Sequence, residues 1–160
     1  MVEAPEVSRR LHATQDTAFD PLVGGQDRLV DDKGRIVLPA GAWRVAFAST
    51  AYIGPWRDRS IALWPNEQFK VFLDQVAAQE RDGILNAGSI ETIRRQFHAV
   101  AVDSQGRLTL PPVLREARAI EPGAHVFIEG QGDRLELRLT AGTDRSLEAY
   151  DDLVEMLDHR

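Results

Sequence analysis

The residues in this 160-residue chain with the most to offer chemically are two arginines set in the same local phrase. Arg35 ends "DDKGR" and Arg107 ends "DSQGR", each four positions after an aspartate and directly after a glycine. Gly34 and Gly106 can supply the positive φ of a tight turn, while Asp31 and Asp103 can bond back to the turn backbone and orient the arginine. A guanidinium held this way can fork onto the O6 and N7 of guanine, whereas the Lys33 ammonium acts more as a point charge suited to phosphate. One Asp-x-x-Gly-Arg turn would also fit an ordinary solvated hairpin, so the weight rests on there being two.

The duplication extends past the turns. With a shift of 72, residues 30–39 and 102–111 share Val, Asp, Gly, Arg, Leu and Pro at six of ten positions. Each copy reads as an apolar segment, a turn and an alternating segment, "RIVL" or "RLTL", the pattern of a hairpin. Pro39 and Pro111 end that strand and can open a short helix, "PAGAWRVAF" or "PPVLREAR". A second hairpin follows in each case, "TAYIG" with "SIALWP" and "HVFIEG" with "LELRL", the latter pair joined by a "GQGD" turn. Each is followed by a helix. The first has Asn66 as the expected N-cap and Phe69, Phe72, Leu73 and Val76 on one face; the second carries Leu147, Tyr150, Val154 and Leu157. "SIETIRRQFHAV" reads as one more helix between the copies.

Two units of hairpin, short helix, hairpin and helix predict an α+β fold. Neither unit can bury its apolar faces alone, so pseudo-twofold packing of the halves is expected. The division that follows is a disordered tail over residues 1–21, a first half over 22–88, and a second half over 89–160 that includes an acidic C-terminal helix.

Composition narrows the function classes. The chain is 43% hydrophobic and 28% charged, which fits a soluble globular protein, and it has no apolar run long enough to span a membrane. It contains no cysteine, which removes disulfides and thiol chemistry and is compatible with a reducing cytoplasm. The net charge of −6 seems adverse to a polyanionic partner, but residues 1–20 and 144–160 carry all of it and residues 21–143 are balanced. A local basic surface is therefore open to the central part. His12, His98, His125 and His159 lack metal-ligand spacing, and no nucleophile elbow, phosphate loop or dinucleotide fingerprint occurs, so no metal, cofactor or catalytic residue is expected. Trp43, Trp56 and Trp64 could stack on bases, but helix and strand positions favour core packing.

The doubled Asp-x-x-Gly-Arg-x-x-x-Pro pattern, its spacing, and the "LWPNEQF" and "LELRL" segments resemble the MraZ family, built from two AbrB-like swapped-hairpin halves. The resemblance runs from about Leu29 to about Leu157, and the doubled Asp-x-x-x-Arg is its specific part. It implies a sequence-specific DNA-binding transcriptional regulator, a ring-shaped homo-oligomer acting on double-stranded DNA with short direct repeats, in the cytoplasm and nucleoid. Carried over by position, the DNA-contacting residues would be Lys33, Gly34, Arg35, Gly106 and Arg107, with Arg44 and Arg115 as phosphate contacts and Asp31 and Asp103 structuring the loops. Three departures mark a divergent paralogue: the N-terminal extension, "AGAWR" with Arg44 as the only early helix base, and Gln105 in place of a lysine. The alternative is an AbrB-like antitoxin or co-regulator that captures a partner protein through its C-terminal helix.

Overall fold

The alternating segments after the two glycines do form strands, but neither folds back on its own upstream segment. In the computed structural model, which describes residues 21–140 and 146–158, β1 (Gly25–Leu29) pairs with β7 (His125–Gly130), and β2 (Arg35–Val37) pairs with β6 (Arg107–Thr109). The local hairpins read from each copy are thus replaced by pairing between copies. The physical reason is length: a three-residue strand has too few ladder bonds to stand as half of a lone hairpin, and its counterpart in the other half has the same need. All but one residue of the expected tail lies outside the described residues.

The register makes the duplication exact in space. Ile36 faces Leu108, its own equivalent under the shift of 72, and Arg35–Thr109 mirrors Val37–Arg107. The ladder is extended at both ends by equivalent bonds, from Leu38 N to the Gly106 carbonyl at 2.8 Å and from Leu110 N to the Gly34 carbonyl at 2.9 Å. Side chains alternate along a strand, so Ile36 and Leu108, both buried, point inward while Arg35, Val37, Arg107 and Thr109 point outward.

Beneath the ribbon lies a six-stranded antiparallel sheet, ordered β1-β7-β8-β4-β3-β5, with β3 (Ala51–Pro55), β4 (Ile61–Pro65), β5 (His98–Val100) and β8 (Leu135–Thr140). The expected hairpins β3–β4 and β7–β8 are present, and β4 pairs with β8 at the seam between the halves. Short helices α1 (Ala42–Ala46) and α4 (Pro112–Ala117) follow the ribbon strands. Ile36, Leu38, Trp43, Phe47, Leu108, Leu110 and Leu114 pack with Ile53, Leu63, Val126, Ile128 and Leu135 into one core shared by both halves.

The other face of the sheet is covered over one half by α2 (Asn66–Arg81) and α3 (Ser89–Gln96). Ala62, Trp64 and Phe69 form its buried centre, with Tyr52, Trp56, Phe72, Leu73 and Phe97 around them. Trp64 stacks on Phe72 and Tyr52 on Phe69, each at 4.6 Å between centroids. All three tryptophans are packed in the protein interior: Trp43 also donates its indole N–H to the Val23 carbonyl, and the Arg134 guanidinium lies 5.2 Å and 5.4 Å from the Trp56 and Trp64 rings. Core packing, then, is what these residues do, and base stacking is excluded by their placement.

Two local expectations need correction. Asn66 is the first residue of α2 and makes no capping bond; Pro65, whose extended backbone carries the chain out of β4, takes the N-cap position. The segment read as a helix up to Val100 ends that helix at Gln96, because Phe97 turns extended and His98–Val100 joins the sheet edge against β3. The C-terminal helix α5 (Ser146–Asp158) forms as read, with the Leu147 side chain outside the described residues. Among the described residues, no helix is long and apolar enough to cross a membrane.

Because Ile36 and Leu108 are almost fully buried at the seam, Ile36→Ala or Leu108→Ala should each cost about 2–5 kcal/mol of unfolding free energy, read as a lowered urea midpoint at unchanged slope. The two residues face each other, so the double variant should depart from additivity.

Candidate nucleic-acid interface

Each turn is built by its aspartate. Asp31 Oδ1 accepts the amide N–H of Lys33 at 2.9 Å and of Arg35 at 2.8 Å, and its Oδ2 accepts the Arg35 Nε–H at 2.7 Å. The second copy repeats this: Asp103 Oδ1 takes the amides of Gln105 and Arg107, both at 2.9 Å, and Oδ2 takes Arg107 Nε at 2.7 Å. The backbone closes with Gly34 N to the Asp31 carbonyl and Gly106 N to the Asp103 carbonyl. Gly34 and Gly106 sit at φ of 78° and 81°, where a side chain is strained.

This geometry holds both carboxyls below the usual aspartate range. For Asp31 the Arg35 amide is the largest cause, opposed by partial desolvation and reinforced by the Arg35 guanidinium. For Asp103 the Arg107 amide leads and the Arg107 guanidinium follows. Each arginine is in turn fixed through Nε alone. Its two terminal nitrogens have no hydrogen-bond partner among the described residues, so the open end of each fork faces outward with the ribbon.

The expected phosphate contacts, Arg44 and Arg115, occupy different ground. Their half-buried guanidiniums cross between the halves: Arg115 lies against Gly34 and Arg44 against Gly106, so closely that a Cβ at either glycine would collide with them. Arg44 Nη2 donates to the Leu38 carbonyl at 2.7 Å and Arg115 Nε to the Leu110 carbonyl at 3.0 Å. The glycines are therefore needed twice, for the turn's φ and for the arginine laid over it. Lys33 is exposed at the tip of its turn.

The structure adds a residue that the duplication could not point to. Arg28, whose counterpart by the shift of 72 is Val100, donates Nε to the Val37 carbonyl at 2.9 Å and so stands beside the strand position opposite Arg107. Its only sequence signal was being basic at the end of a strand. Arg28, Lys33, Arg35, Arg44, Arg107 and Arg115 thus gather around one ribbon in a chain of net charge −6. Elsewhere, His125 Nδ1 pairs with Asp27 at 2.8 Å, and no three His, Cys, Asp or Glu residues converge on a metal-sized site among the described residues.

An α+β chain whose two halves pair a duplicated arginine turn across a central ribbon defines the class of protein. Comparison with known proteins narrows it. The chain is 31% identical over 105 residues to the transcriptional regulator MraZ of Salinispora tropica, covering 62% of this chain and 73% of that one. It is 35% identical to the MraZ of Treponema pallidum over 67% of this chain and 70% of that one, and 27% identical to the MraZ of Oenococcus oeni over 84% and 95%. No family model matches the chain. It belongs to the MraZ family, as a divergent member.

The lowered carboxyls set a pH dependence. A depressed folded-state pKa contributes stability that is present above the unfolded value, near 3.8, and is lost as pH falls through the folded value. Asp31→Asn/Asp103→Asn should therefore be less stable than the parent at neutral pH, with the gap closing as pH drops below 3.8; denaturant midpoints across an acid series would measure it. Gly34→Ala should cost at least about 1 kcal/mol from positive φ alone, and more from displacing Arg115. A Gly34→Ala/Arg115→Ala double variant should recover the second part, which thermal unfolding of both variants would show.

Proposed function

We propose that this chain is a sequence-specific DNA-binding transcriptional regulator of the MraZ type, composed of two AbrB-like swapped-hairpin halves over residues 22–88 and 89–160. The observation that carries the reading is the outward face of the ribbon, where Arg35 and Arg107 lie on one small platform with their Nε atoms tied down and their terminal nitrogens open. The major groove of DNA admits a two-stranded ribbon, and an arginine fork matches the O6 and N7 of guanine. Val37 and Thr109, outward beside them, have the apolar groups that meet a thymine methyl. The relatives' names, transcriptional regulator MraZ, support the same reading.

In this mechanism, Arg35 and Arg107 read bases, and Lys33 meets phosphate from the turn tip. Gly34 and Gly106 let the backbone approach, and Asp31 and Asp103 set the direction of each fork. Arg44 and Arg115 brace the two glycine turns from the opposite half and add positive potential beneath the phosphates. A fork whose rotamers are already restricted loses little entropy on binding, which favours specificity over raw attraction. The acidic remainder of the chain limits what one copy can hold. Short direct repeats in promoter DNA, met by several copies in a ring-shaped homo-oligomer in the cytoplasm and nucleoid, recover affinity through effective concentration.

Fluorescence anisotropy on the chain's own upstream DNA against a scrambled duplex tests this. Upstream DNA should bind preferentially, with log K falling linearly in log salt. Arg35→Ala and Arg107→Ala should each weaken it by about tenfold to a hundredfold, the range of one lost fork. Loss from only one of the two would confine base reading to that turn, and absence of any preference at low salt with folded protein would overturn the reading.

A further inference from the structure

The two ends of the ribbon carry equivalent forks but differ in their loose charge. Each fork arrives with its own carboxylate, Arg35 with Asp31 and Arg107 with Asp103, both at 2.7 Å, so neither turn gains net charge from its base-reading pair. Attraction for phosphate must therefore come from cations that have no carboxylate of their own. Arg115 over Gly34 and Arg44 over Gly106 give one such cation to each end. At the first turn Lys33 adds another, exposed at the tip beside Asp32. At the second, the same two positions hold Ser104 and Gln105, which bring no charge.

Arg28 stands at the end whose turn lacks a lysine. The register places Val37 opposite Arg107, and Arg28 Nε donates to the Val37 carbonyl at 2.9 Å in a solvent-exposed bond. Nη1 adds a bond to the Asp27 carbonyl at 3.3 Å, and the guanidinium forms no ion pair among the described residues. Leu38 N bonds toward β6, and the backbone groups of successive strand residues point to opposite sides, so the Val37 carbonyl faces away from β6. Arg28 thus lies along the outer edge of the ribbon. In a major groove about 12 Å wide, two strands about 4.8 Å apart turn their outer edges toward the phosphate walls and their outward face toward the bases.

The pseudo-twofold shows that this cation belongs to one end only. β5 lies on β3 as β1 lies on β7: Val100 pairs with Ala51 as Arg28 pairs with Val126, and Val100 is the equivalent of Arg28 under the shift of 72. A valine there leaves the Arg35 end to Lys33. We infer that Arg28 is the phosphate contact of the second turn, supplied by the first half and doing at the Arg107 end what Lys33 does at the Arg35 end. This role presupposes the DNA-binding reading above. Base reading stays with the two forks, and Arg28 adds affinity without preference.

In an anisotropy salt series on the full chain, Arg28→Gln should weaken binding to upstream and scrambled DNA alike, severalfold, and lower the steepness of log K against log salt by about one. Gln105→Lys added to that variant should restore the slope. The second substitution returns a charge to the same end of the ribbon but not the bond to Val37, so a role confined to holding that carbonyl predicts no rescue. Suppose the parent prefers upstream DNA: if Arg28→Gln then keeps the parental slope, loses the preference or is not rescued, the inference is overturned and the regulator reading stands. A parent without preference overturns that reading, and this inference with it.

Discussion

The pairing of β2 with β6 is the constraint on which the rest of the molecule depends. Each strand is three residues long and is preceded by a turn that spends its own hydrogen bonds internally, so neither has an upstream partner to satisfy its backbone. Buried amides and carbonyls must be bonded, and Leu38, Leu110, Gly34 and Gly106 at the ladder's ends are all buried. Only the equivalent strand of the other half can complete the pattern. That one requirement brings Ile36 onto Leu108, joins the apolar faces of both halves into a common core, and sets the two arginine turns at opposite ends of the same ribbon.

The turns then transmit this arrangement to the surface. An aspartate at the first position accepts two amides and one guanidinium N–H, so the carboxylate is more than a charge partner: it defines the loop and the direction of the arginine together. Exposed ion pairs alone stabilise little, because water screens them and long side chains lose entropy. Here the amide bonds come first and the arginine inherits an anchor already in place. Crossing of Arg115 to Gly34 and Arg44 to Gly106 ties each turn to the opposite half, so the platform is rigid only when the halves are together.

Against this near-symmetry, the outer side of the sheet is unlike in its two halves. Over β3, β4 and β5 it is aromatic and covered by helix; over β1, β7 and β8 it carries ion pairs beside Phe127 and the exposed Leu29. Arg134 stands at the border, 11% exposed, held by Glu136 and Asp133 and lying near the faces of Trp56 and Trp64. Its position lets one charged group close the edge of the aromatic cluster without leaving a buried charge unpaired. The duplicated chain therefore keeps its symmetry at the ribbon, where both copies have the same task, and loses it on the far face.

Much of the turn chemistry was legible in the residues themselves. Asp31 with Gly34 and Arg35, and Asp103 with Gly106 and Arg107, interact within five residues, so their types and spacing suffice to specify the bonds. The second hairpins and the amphipathic pattern of α2 were open to reading for the same reason, since both are periodic and local. What could not be read was partnership. A three-residue alternating strand states which face is apolar but not which strand lies beside it, and so the exchange of β1 and β2 onto β7 and β6 emerged only in the folded chain. Arg28 beside Val37, the crossing of Arg44 and Arg115, and the diversion of His98–Val100 into the sheet belong to the same class, because each depends on groups tens of residues away or on an edge that exists only after the sheet has assembled. The sequence by itself determined two equivalent arginine turns and the periodicity of the elements around them; the tertiary structure decided which backbone met which, because hydrogen bonds between strands are satisfied by proximity in space and carry no local signature along the chain.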